Sequence, residues 1–281
     1  MWAIIGGSGF ESFEEFKKIK ELETETPFGP ASSGAALISI GGVEALFLPR
    51  HGLKHEKLPS EVNYRANIWC LKKFGATKIL SISAIGSLRK ELKPGEMVVP
   101  LQYLNQTQSL RAHSFCGEGV VGHVSLAHPV SKELVKGLEA QIAKFDFKVH
   151  IGGTYVCVEG PYFSTQAESK MFIAMGADII GMTNFPEYGL AREAGLGYLP
   201  ACFVTDYDCW DDQIPHVTLE GVLEIMRNNR LKAFQVCQSL LRELGDLMPE
   251  GCRSQGLKTG LMCDVEKLRP EQKAWLEIVT R

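Results

Sequence analysis

Gly197-Tyr-Leu-Pro-Ala-Cys-Phe-Val204, followed at once by Thr205-Asp-Tyr-Asp208, is the stretch on which the fold prediction depends. Its first part is apolar enough for a buried strand, and Asp206 and Asp208 come where that strand should end. In open α/β sheets ligands bind at the carboxyl ends of the strands, so both acids are candidate functional residues. The alternative is that Asp206 caps the next helix and Asp208 is simply solvated.

Composition places the chain among ordinary globular proteins. It has 281 residues, of which 45% are hydrophobic and 22% charged, and this favours a single domain over residues 1–281. The net charge of −3 gives no basic surface, so nucleic acid is not expected as a partner. A small anionic substrate would need a local basic pocket.

Three features of the sequence indicate the cellular compartment and whether a metal is bound: the cysteines, the histidines and the first residues. Eight cysteines are scattered without a Cys-x-x-Cys pair, so we interpret them as reduced thiols. The histidines His113, His123 and His128 lack carboxylates at ligand spacing, and no metal site is predicted. Met1-Trp-Ala-Ile-Ile-Gly6 has no basic leader and is too short for a membrane span. We therefore expect a cytoplasmic protein without a membrane partner.

Three further strand ends carry groups that can bind an anion. They are Gly6-Gly-Ser-Gly9, Pro49-Arg-His-Gly52 and Ser83-Ala-Ile-Gly-Ser87. Glycines let the backbone approach an anion, and an arginine can grip one with two N–H groups. Each segment alone is equally consistent with a tight turn or an exposed surface feature. Neither the full dinucleotide fingerprint nor a P-loop is present, so nicotinamide or ATP binding is not predicted.

Strands and helices alternate along the chain, which predicts an α/β fold. The predicted strands cover residues 2–5, 35–40, 43–48, 76–82, 149–158, 178–180 and 197–204. The predicted helices cover residues 63–74, 131–145, 166–175, 218–244 and 270–279, and one more ends at residue 194. Gly41-Gly42 indicates a hairpin, and the polar stretch 102–122 indicates a long loop.

Taken together, seven motifs resemble the trimeric purine nucleoside phosphorylase family. They are Ile4-Ile-Gly-Gly-Ser-Gly9, Arg50-His-Gly52, Pro59-Ser-x-Val-Asn-Tyr-x-Ala-Asn-Ile68, Ser83-Ala-x-Gly-Ser-Leu88, Glu159-Gly-Pro-x-Phe163, Gly181-Met-Thr183 and Thr205-Asp-Tyr-Asp-Cys-Trp210. They follow the family order over roughly residues 1–235, and the tail beyond is not convincingly matched. In combination they are specific, although each alone is not.

The resemblance implies a central mixed β-sheet forming a distorted barrel flanked by helices, and a homotrimer. It implies a pentosyltransferase of purine and methionine salvage, which needs no cofactor because inorganic phosphate is a co-substrate. By motif position the phosphate would be held by Ser8, Arg50, His51, Ser83 and Ala84. Phe163 would stack on the purine, Met182 would pack under the ribose, and Thr183 would lie between ribose and phosphate.

The resemblance also assigns the two acids and the 5′ end of the substrate. Asp206 would act as a general acid at purine N7, and Asp208 would accept from the exocyclic amine. Members selective for 6-oxopurines carry asparagine in place of Asp206, so this chain is similar to the 6-aminopurine type. The apolar positions Leu219, Val222 and Leu223 would line the 5′ pocket, and His123 would reach it from a neighbouring subunit.

With these assignments the resemblance implies phosphorolysis of 5′-methylthioadenosine to adenine and 5-methylthioribose 1-phosphate. Two alternatives remain open: a broader purine nucleoside phosphorylase acting on adenosine or inosine, and a nucleoside-binding protein without catalysis. Tyr162 and Gln166 depart from the family, which usually has arginines there. This puts local salt bridges in doubt but leaves the catalytic set intact.

Overall fold

The computed structural model describes residues 1–13, 15–108, 111–211 and 219–281, and for residues 219–223 it describes the backbone only. Its strands are β1 (Trp2–Gly6), β2 (Lys17–Glu21), β3 (Ala36–Ile40), β4 (Val43–Pro49), β5 (Lys78–Ser87), β6 (Met97–Val99), β7 (Gln102–Gln106), β8 (Val149–Ile151), β9 (Thr154–Val158), β10 (Ile179–Gly181) and β11 (Gly197–Asp206). Its helices are α1 (Tyr64–Lys73), α2 (Lys132–Glu139), α3 (Gln166–Ala174), α4 (Asn184–Glu193), α5 (Leu219–Glu243), α6 (Glu250–Arg253), α7 (Leu257–Gly260) and α8 (Pro270–Thr280). Two short 3-10 helices lie at Ile142–Lys144 and Val265–Lys267.

The described strands form one mixed sheet centred on β5. β1 and β11 flank β5 in parallel, and β4, β3 and β2 continue the sheet beyond β1. β10 pairs in antiparallel fashion with the last residues of β5, followed by β9 and β7. β6 and β8 lie beyond β11. The sheet therefore branches at the carboxyl-terminal half of β5.

Side chains alternate along each strand, so the two faces of the sheet contribute to two different cores. In β11, Leu199 and Phe203 join a core covered by α2 and α5. Tyr198, the residue just before Leu199, points to the other face and joins a second core covered by α1, α4 and α8. The result is a sheet with helices on both faces. Among the described residues no helix is both long enough and apolar enough to cross a bilayer.

The α/β class and the mixed central sheet expected from the sequence are confirmed. The hairpin is confirmed as well, since β3 and β4 pair antiparallel around Gly41 and Gly42. Both glycines have positive φ (57° and 87°), a backbone region that other residues rarely adopt.

Several predicted boundaries were wrong. The strand expected to end at residue 82 continues to Ser87, because Ser83 to Gly86 pair with β11 and β10. The expected loop 102–122 begins with β7, whose polar side chains suit a strand paired with β9 alone among the described strands. The strand expected over 149–158 is divided at Gly152 and Gly153 into β8 and β9. The helix expected to reach residue 145 ends at Glu139.

Candidate active site

A cavity of about 330 Å³ lies at the carboxyl ends of β1, β4 and β11, beside the branch in β5. It is lined by ten of the residues singled out from the sequence: Ser8, Arg50, His51, Ser83, Ala84, Phe163, Met182, Thr183, Asp206 and Asp208. Parallel strands end at a common edge, which is why segments far apart in sequence meet here. Their convergence was the central expectation from the sequence, while the role of each residue stays a prediction.

The glycine-rich segment after β1 forms a tight turn against the cavity. Phe10 N–H donates to Gly7 O at 2.9 Å, and Gly9 has φ +80°. A Cβ at position 7 would lie 2.6 Å from Arg50 Nη1 and 2.7 Å from Ile82 O. Only glycine therefore lets this turn pass so close to Arg50, and the turn places Ser8 in the cavity wall.

Arg50 follows β4 and is fully buried, with 0% of its surface exposed. Its Nε and Nη2 grip the two carboxylate oxygens of Glu187 at 2.7 and 3.0 Å. Nη2 also donates to Ser81 Oγ, and Nη1 donates to Ile82 O at 3.1 Å. A guanidinium has five N–H donors, so a single Nη1 hydrogen remains for a ligand. The two-pronged grip on an anion expected from the sequence was wrong, because the fork is taken by Glu187.

The Arg50–Glu187 pair keeps the guanidinium charged inside the protein. Burial alone would lower the pKa of Arg50, but the Glu187 carboxylate more than offsets it, and the pKa lies above its usual value. Tyr198 and Ser81 also donate to Glu187 Oε1. The charge at this end of the cavity is thus fixed in place.

His51 is also buried, and its ring nitrogens have different roles. Nδ1 lies 2.9 Å from Lys57 O, an oxygen that can only accept, so Nδ1 carries the hydrogen. Burial, together with the Arg50 charge, lowers the pKa of His51 to about 4. In the neutral ring Nε2 is then an acceptor, and it has no protein partner among the described residues. Near neutral pH the ring therefore offers a ligand an acceptor and not a donor.

His55 and Glu11 tie the loop after β4 to the glycine turn. His55 Nδ1 lies 2.7 Å from Glu11 Oε1, which also accepts from Gly9 N–H at 3.0 Å. The bond to Glu11 raises the pKa of His55. The rings of His51 and His55 stack with centroids 4.6 Å apart. The two segments that carry Ser8 and His51 are thus held together by the contact between His55 and Glu11.

A bulge in β11 aims Asp206 into the cavity. β11 and β5 stay in register as far as Val204, and one extra residue, Thr205, then brings Asp206 opposite Gly86. Asp206 Oδ1 accepts from Asp208 N–H at 2.8 Å, and Thr205 Oγ1 lies 2.6 Å from Oδ2. The side chain is therefore held at both oxygens.

Asp208 turns back toward the same cavity. Its φ is +52°, and the bond from its N–H to Asp206 closes a local turn of the kind that Asp side chains favour. Its Oδ2 accepts from Ser169 Oγ at 2.5 Å. Helix capping by Asp206 and full solvation of Asp208, the alternative drawn from the sequence, do not describe this arrangement.

The two acids share a protonation environment unlike that of a surface pair. Burial raises the pKa of Asp206. Burial also raises the pKa of Asp208, and the neighbouring Asp206 charge adds to the effect. A carboxyl group with a raised pKa can carry a proton closer to neutral pH, which general acid catalysis requires.

Met182 and Thr183 form another wall, and Arg111 holds their segment. Arg111 Nη1 donates to Met182 O at 2.7 Å and to Phe185 O at 2.6 Å, while Nε pairs with Glu159 at 2.7 Å. Thr183 precedes α4, yet its hydroxyl makes no capping bond. That hydroxyl is free of the local helix and borders the cavity.

The remaining predicted site residues are Phe163, His123 and the three residues expected at the 5′ pocket. Phe163 borders the cavity with 81% of its surface exposed, so its ring is open to a ligand. His123 does not line the cavity of its own chain; it is exposed, and its N–H donates to Gly260 O at 2.9 Å. The side chains of Leu219, Val222 and Leu223 lie outside the described part of the structure. Among the described residues no cluster of His, Cys, Asp and Glu could hold a metal ion.

Comparison with known proteins identifies the family. The model of the phosphorylase superfamily matches residues 2–242. The chain belongs to the phosphorylase superfamily. Within this superfamily it is 40% identical to an S-methyl-5′-thioadenosine phosphorylase of Geobacter sulfurreducens over 276 residues, which are 98% of this chain and 96% of the relative. That alignment includes nearly all of the C-terminal tail.

Solved phosphorylase structures agree with this assignment. A methylthioadenosine phosphorylase from an antarctic soil metagenomic library superposes with a TM-score of 0.91 at 40% identity, covering 99% of this chain and 98% of the other. The methylthioadenosine phosphorylase of Schistosoma mansoni in complex with adenine gives a TM-score of 0.82 at 34% identity, covering 92% and 98%. The fold of this phosphorylase is therefore shared over nearly its whole length.

Sequence reasoning missed three residues of this phosphorylase that shape the cavity. Glu187 stands in a largely buried helix, where a carboxylate needs a cationic partner. His55 follows His51 closely but carries no motif signal of its own. Met226 lines the cavity and follows Val222 by one helical turn, so helical spacing could have found it.

Proposed function

We propose that the chain cleaves 5′-methylthioadenosine with inorganic phosphate, giving adenine and 5-methylthioribose 1-phosphate. The observation that carries this is one cavity that brings together donors from Arg50 and Ser8 and two half-buried carboxyl groups with raised pKa. Several relatives bear the name S-methyl-5′-thioadenosine phosphorylase, which supports this substrate.

In the phosphate-binding part of the cavity, phosphate would accept from the free Nη1 hydrogen of Arg50 and from the hydroxyls of Ser8 and Ser83. Ala84 would add its backbone N–H, and Thr183 would link phosphate and ribose. A phosphate oxygen attacks C1′ while the bond from C1′ to N9 breaks. The phosphate charge stabilises the oxocarbenium-like sugar, so much of the catalysis is electrostatic.

At the base end, adenine would stack on Phe163 with its N7 near Asp206. Protonated Asp206 gives its proton to N7 as the base departs, so adenine leaves neutral and Asp206 becomes a carboxylate. Asp208 accepts from the exocyclic amine, and Met182 packs under the ribose. This division of roles follows the family resemblance and the positions of these side chains around the cavity.

The 5′ preference is proposed from apolar residues. Leu58, Pro59 and Met226 line the cavity, and Leu219, Val222 and Leu223 would extend that surface. An apolar pocket favours a methylthio group over a hydroxyl by only about 1–3 kcal/mol, so some use of adenosine is compatible with it.

The test is adenine release from 5′-methylthioadenosine with and without phosphate, beside adenosine and inosine. We expect release that requires phosphate and favours 5′-methylthioadenosine. Equal use of adenosine or inosine would instead support a broader purine nucleoside phosphorylase. Release without phosphate would indicate a hydrolase, and tight nucleoside binding without product would indicate a binding protein.

We also propose a cytoplasmic homotrimer that needs no cofactor. His123 is exposed and outside its own cavity, which suits a residue that serves a neighbouring subunit. All eight cysteines are described and are free thiols, as expected in a reducing compartment. Light scattering should give a trimer mass, and activity should survive dialysis against a chelator; a monomer of full activity would overturn the shared site.

A further inference from the structure

Each acid of the pair is bonded to a buried hydroxyl that has a second acceptor within reach. Thr205 Oγ1 lies 2.6 Å from Asp206 Oδ2 and 3.1 Å from Ile85 O. Ser169 Oγ lies 2.5 Å from Asp208 Oδ2 and 3.2 Å from Thr165 O. The same arrangement thus occurs twice in one cavity wall, on two different elements.

The direction of these bonds depends on the protonation state of the acid. A hydroxyl has one hydrogen to donate and lone pairs to accept with, whereas a backbone carbonyl only accepts. When Asp206 is ionised, Thr205 donates to it. In the free enzyme a protonated Asp206 donates to Thr205 Oγ1, and the Thr205 hydrogen turns to Ile85 O; once purine N7 accepts from Asp206, the Thr205 hydrogen turns back to Asp206 Oδ2. Both states use the same positions of the heavy atoms.

Burial makes these hydroxyls hard to replace by water. Thr205 is 5% exposed and Ser169 is 0% exposed. The bulge in β11 sets Thr205 against Ile85 O, and Ser169 lies one helical turn after Thr165, the N-cap of α3. By contrast, the Asp208 N–H on Asp206 Oδ1 is a fixed donor, which stabilises the ionised form alone.

We propose that Thr205 and Ser169 are positioning residues that hold Asp206 and Asp208 in one geometry in both protonation states. The inference rests on the proposed function, because a carboxyl group that gives up its proton in each turnover gains from a partner that reverses its bond. Asp206 can then change from acid to carboxylate without moving from purine N7. Less reorganisation accompanies the proton transfer.

Other titratable groups also face this pair and are part of the test. Asp208 and Asp206 act on each other, and Glu168 of α3 and the Cys209 thiol lie beside Asp208. None of them is changed in the variants at Thr205. A shift in pH dependence in those variants is therefore attributable to the Thr205 hydroxyl.

The test compares Thr205→Val, which removes the hydroxyl at similar volume, with Thr205→Ser, which keeps it. The kcat and kcat/KM for phosphate-dependent adenine release are measured from pH 5 to 9, also in an Asp206→Asn background. We expect Thr205→Val to lower kcat about tenfold or more, and Thr205→Ser to restore it to within about threefold. In the Asp206→Asn background Thr205→Val should have no further effect, because no proton is exchanged there.

The pH profile separates a reversible partner from a fixed donor. Loss of a fixed donor to the carboxylate would raise the alkaline limb of kcat/KM, which reports the free enzyme, by about one pH unit or more. Loss of a partner that serves both states should move it by less than about half a unit. A larger upward shift, or an equal loss of kcat in the Asp206→Asn background, would overturn the inference.

Folding and the proposed function are checked in the same series. Thr280→Val, a matched change in α8 where the hydroxyl donates to Leu276 O, should keep wild-type kcat. If Thr205→Val does not fold, Ser169→Ala tests the second pair, with an expected drop in kcat/KM. Wild-type protein without phosphate-dependent release would overturn the proposed function and this inference together, whereas undiminished kcat in both variants would overturn the inference alone.

Discussion

Replacing Asp206 by Asn keeps the shape of the side chain but removes the proton that the departing base needs. General acid catalysis contributes about 10²- to 10⁴-fold, so Asp206→Asn should lower kcat for 5′-methylthioadenosine by that factor. Steady-state kinetics at saturating phosphate measures the change. Thermal unfolding serves as the control, since burial already disfavours the charge at this position. Near-normal turnover would remove Asp206 from the mechanism.

Glu187 neutralises the charge of Arg50, although the two residues are 137 positions apart in sequence. Removing one member of a buried ion pair leaves the other charge uncompensated, so Glu187→Gln should destabilise the fold by about 3–5 kcal/mol. Denaturant unfolding measures this loss. The same change at Glu21, whose pair with Lys18 is exposed, should have little effect. Equal stability of the two variants would contradict a structural role for the buried pair.

At this scale the sequence predicts residues that lie at strand ends and cannot predict their partners. Asp206 and Arg50 each follow an apolar run that indicates a strand, so their edge of the sheet can be inferred. The contact between Arg50 and Glu187 depends on how α4 packs, and no local pattern encodes it. The same holds for Ser169, whose helical position gives no sign of Asp208.

At the scale of elements, the last part of β5 lines the cavity, and its Gly86 lies next to Asp206 and Asp208. A Cβ at Gly86 would lie 3.0 Å from Ile180 Cγ2 and 3.1 Å from Asp206 Oδ1. Gly86→Ala should therefore displace Asp206, lower kcat about tenfold and cost about 1–3 kcal/mol through overpacking. Gly189→Ala in α4, where the nearest atom is 4.0 Å away, is the matched control. Unchanged kcat in Gly86→Ala would mean that this close approach has no influence on Asp206.

Element types follow from periodicity more reliably than element ends do. Side chains of β11 point alternately into two cores, so nearly all of them are apolar. Such a continuous apolar run is easily recognised as a strand. β7 was missed because its polar residues resemble a loop and only pairing with β9 makes it a strand. The bulge at Thr205 was missed for the same reason, since it exists only against β5.

At the scale of the whole molecule, His51 couples the cavity to acid stability. Its pKa is lowered to about 4 in the folded protein, against an ordinary value near 6.5. Between these values the unfolded chain binds the extra proton, so this contribution is complete above about pH 6.5 and is lost as the pH falls toward 4. The raised pKa of Asp206 acts in the opposite direction, because there the folded state holds the proton.

The contribution of His51 is isolated by comparing wild type with His51→Gln. We expect the free energy of unfolding of the wild type to fall by on the order of 3 kcal/mol more than that of the variant between pH 6.5 and 4. Urea unfolding at several pH values measures the difference, and His128→Gln at an exposed position is the control. Parallel pH profiles for wild type and His51→Gln would show that folding does not lower the pKa of His51. In that case Nε2 would become a donor below about pH 6.5, and the binding of phosphate at this edge would have to be assigned anew.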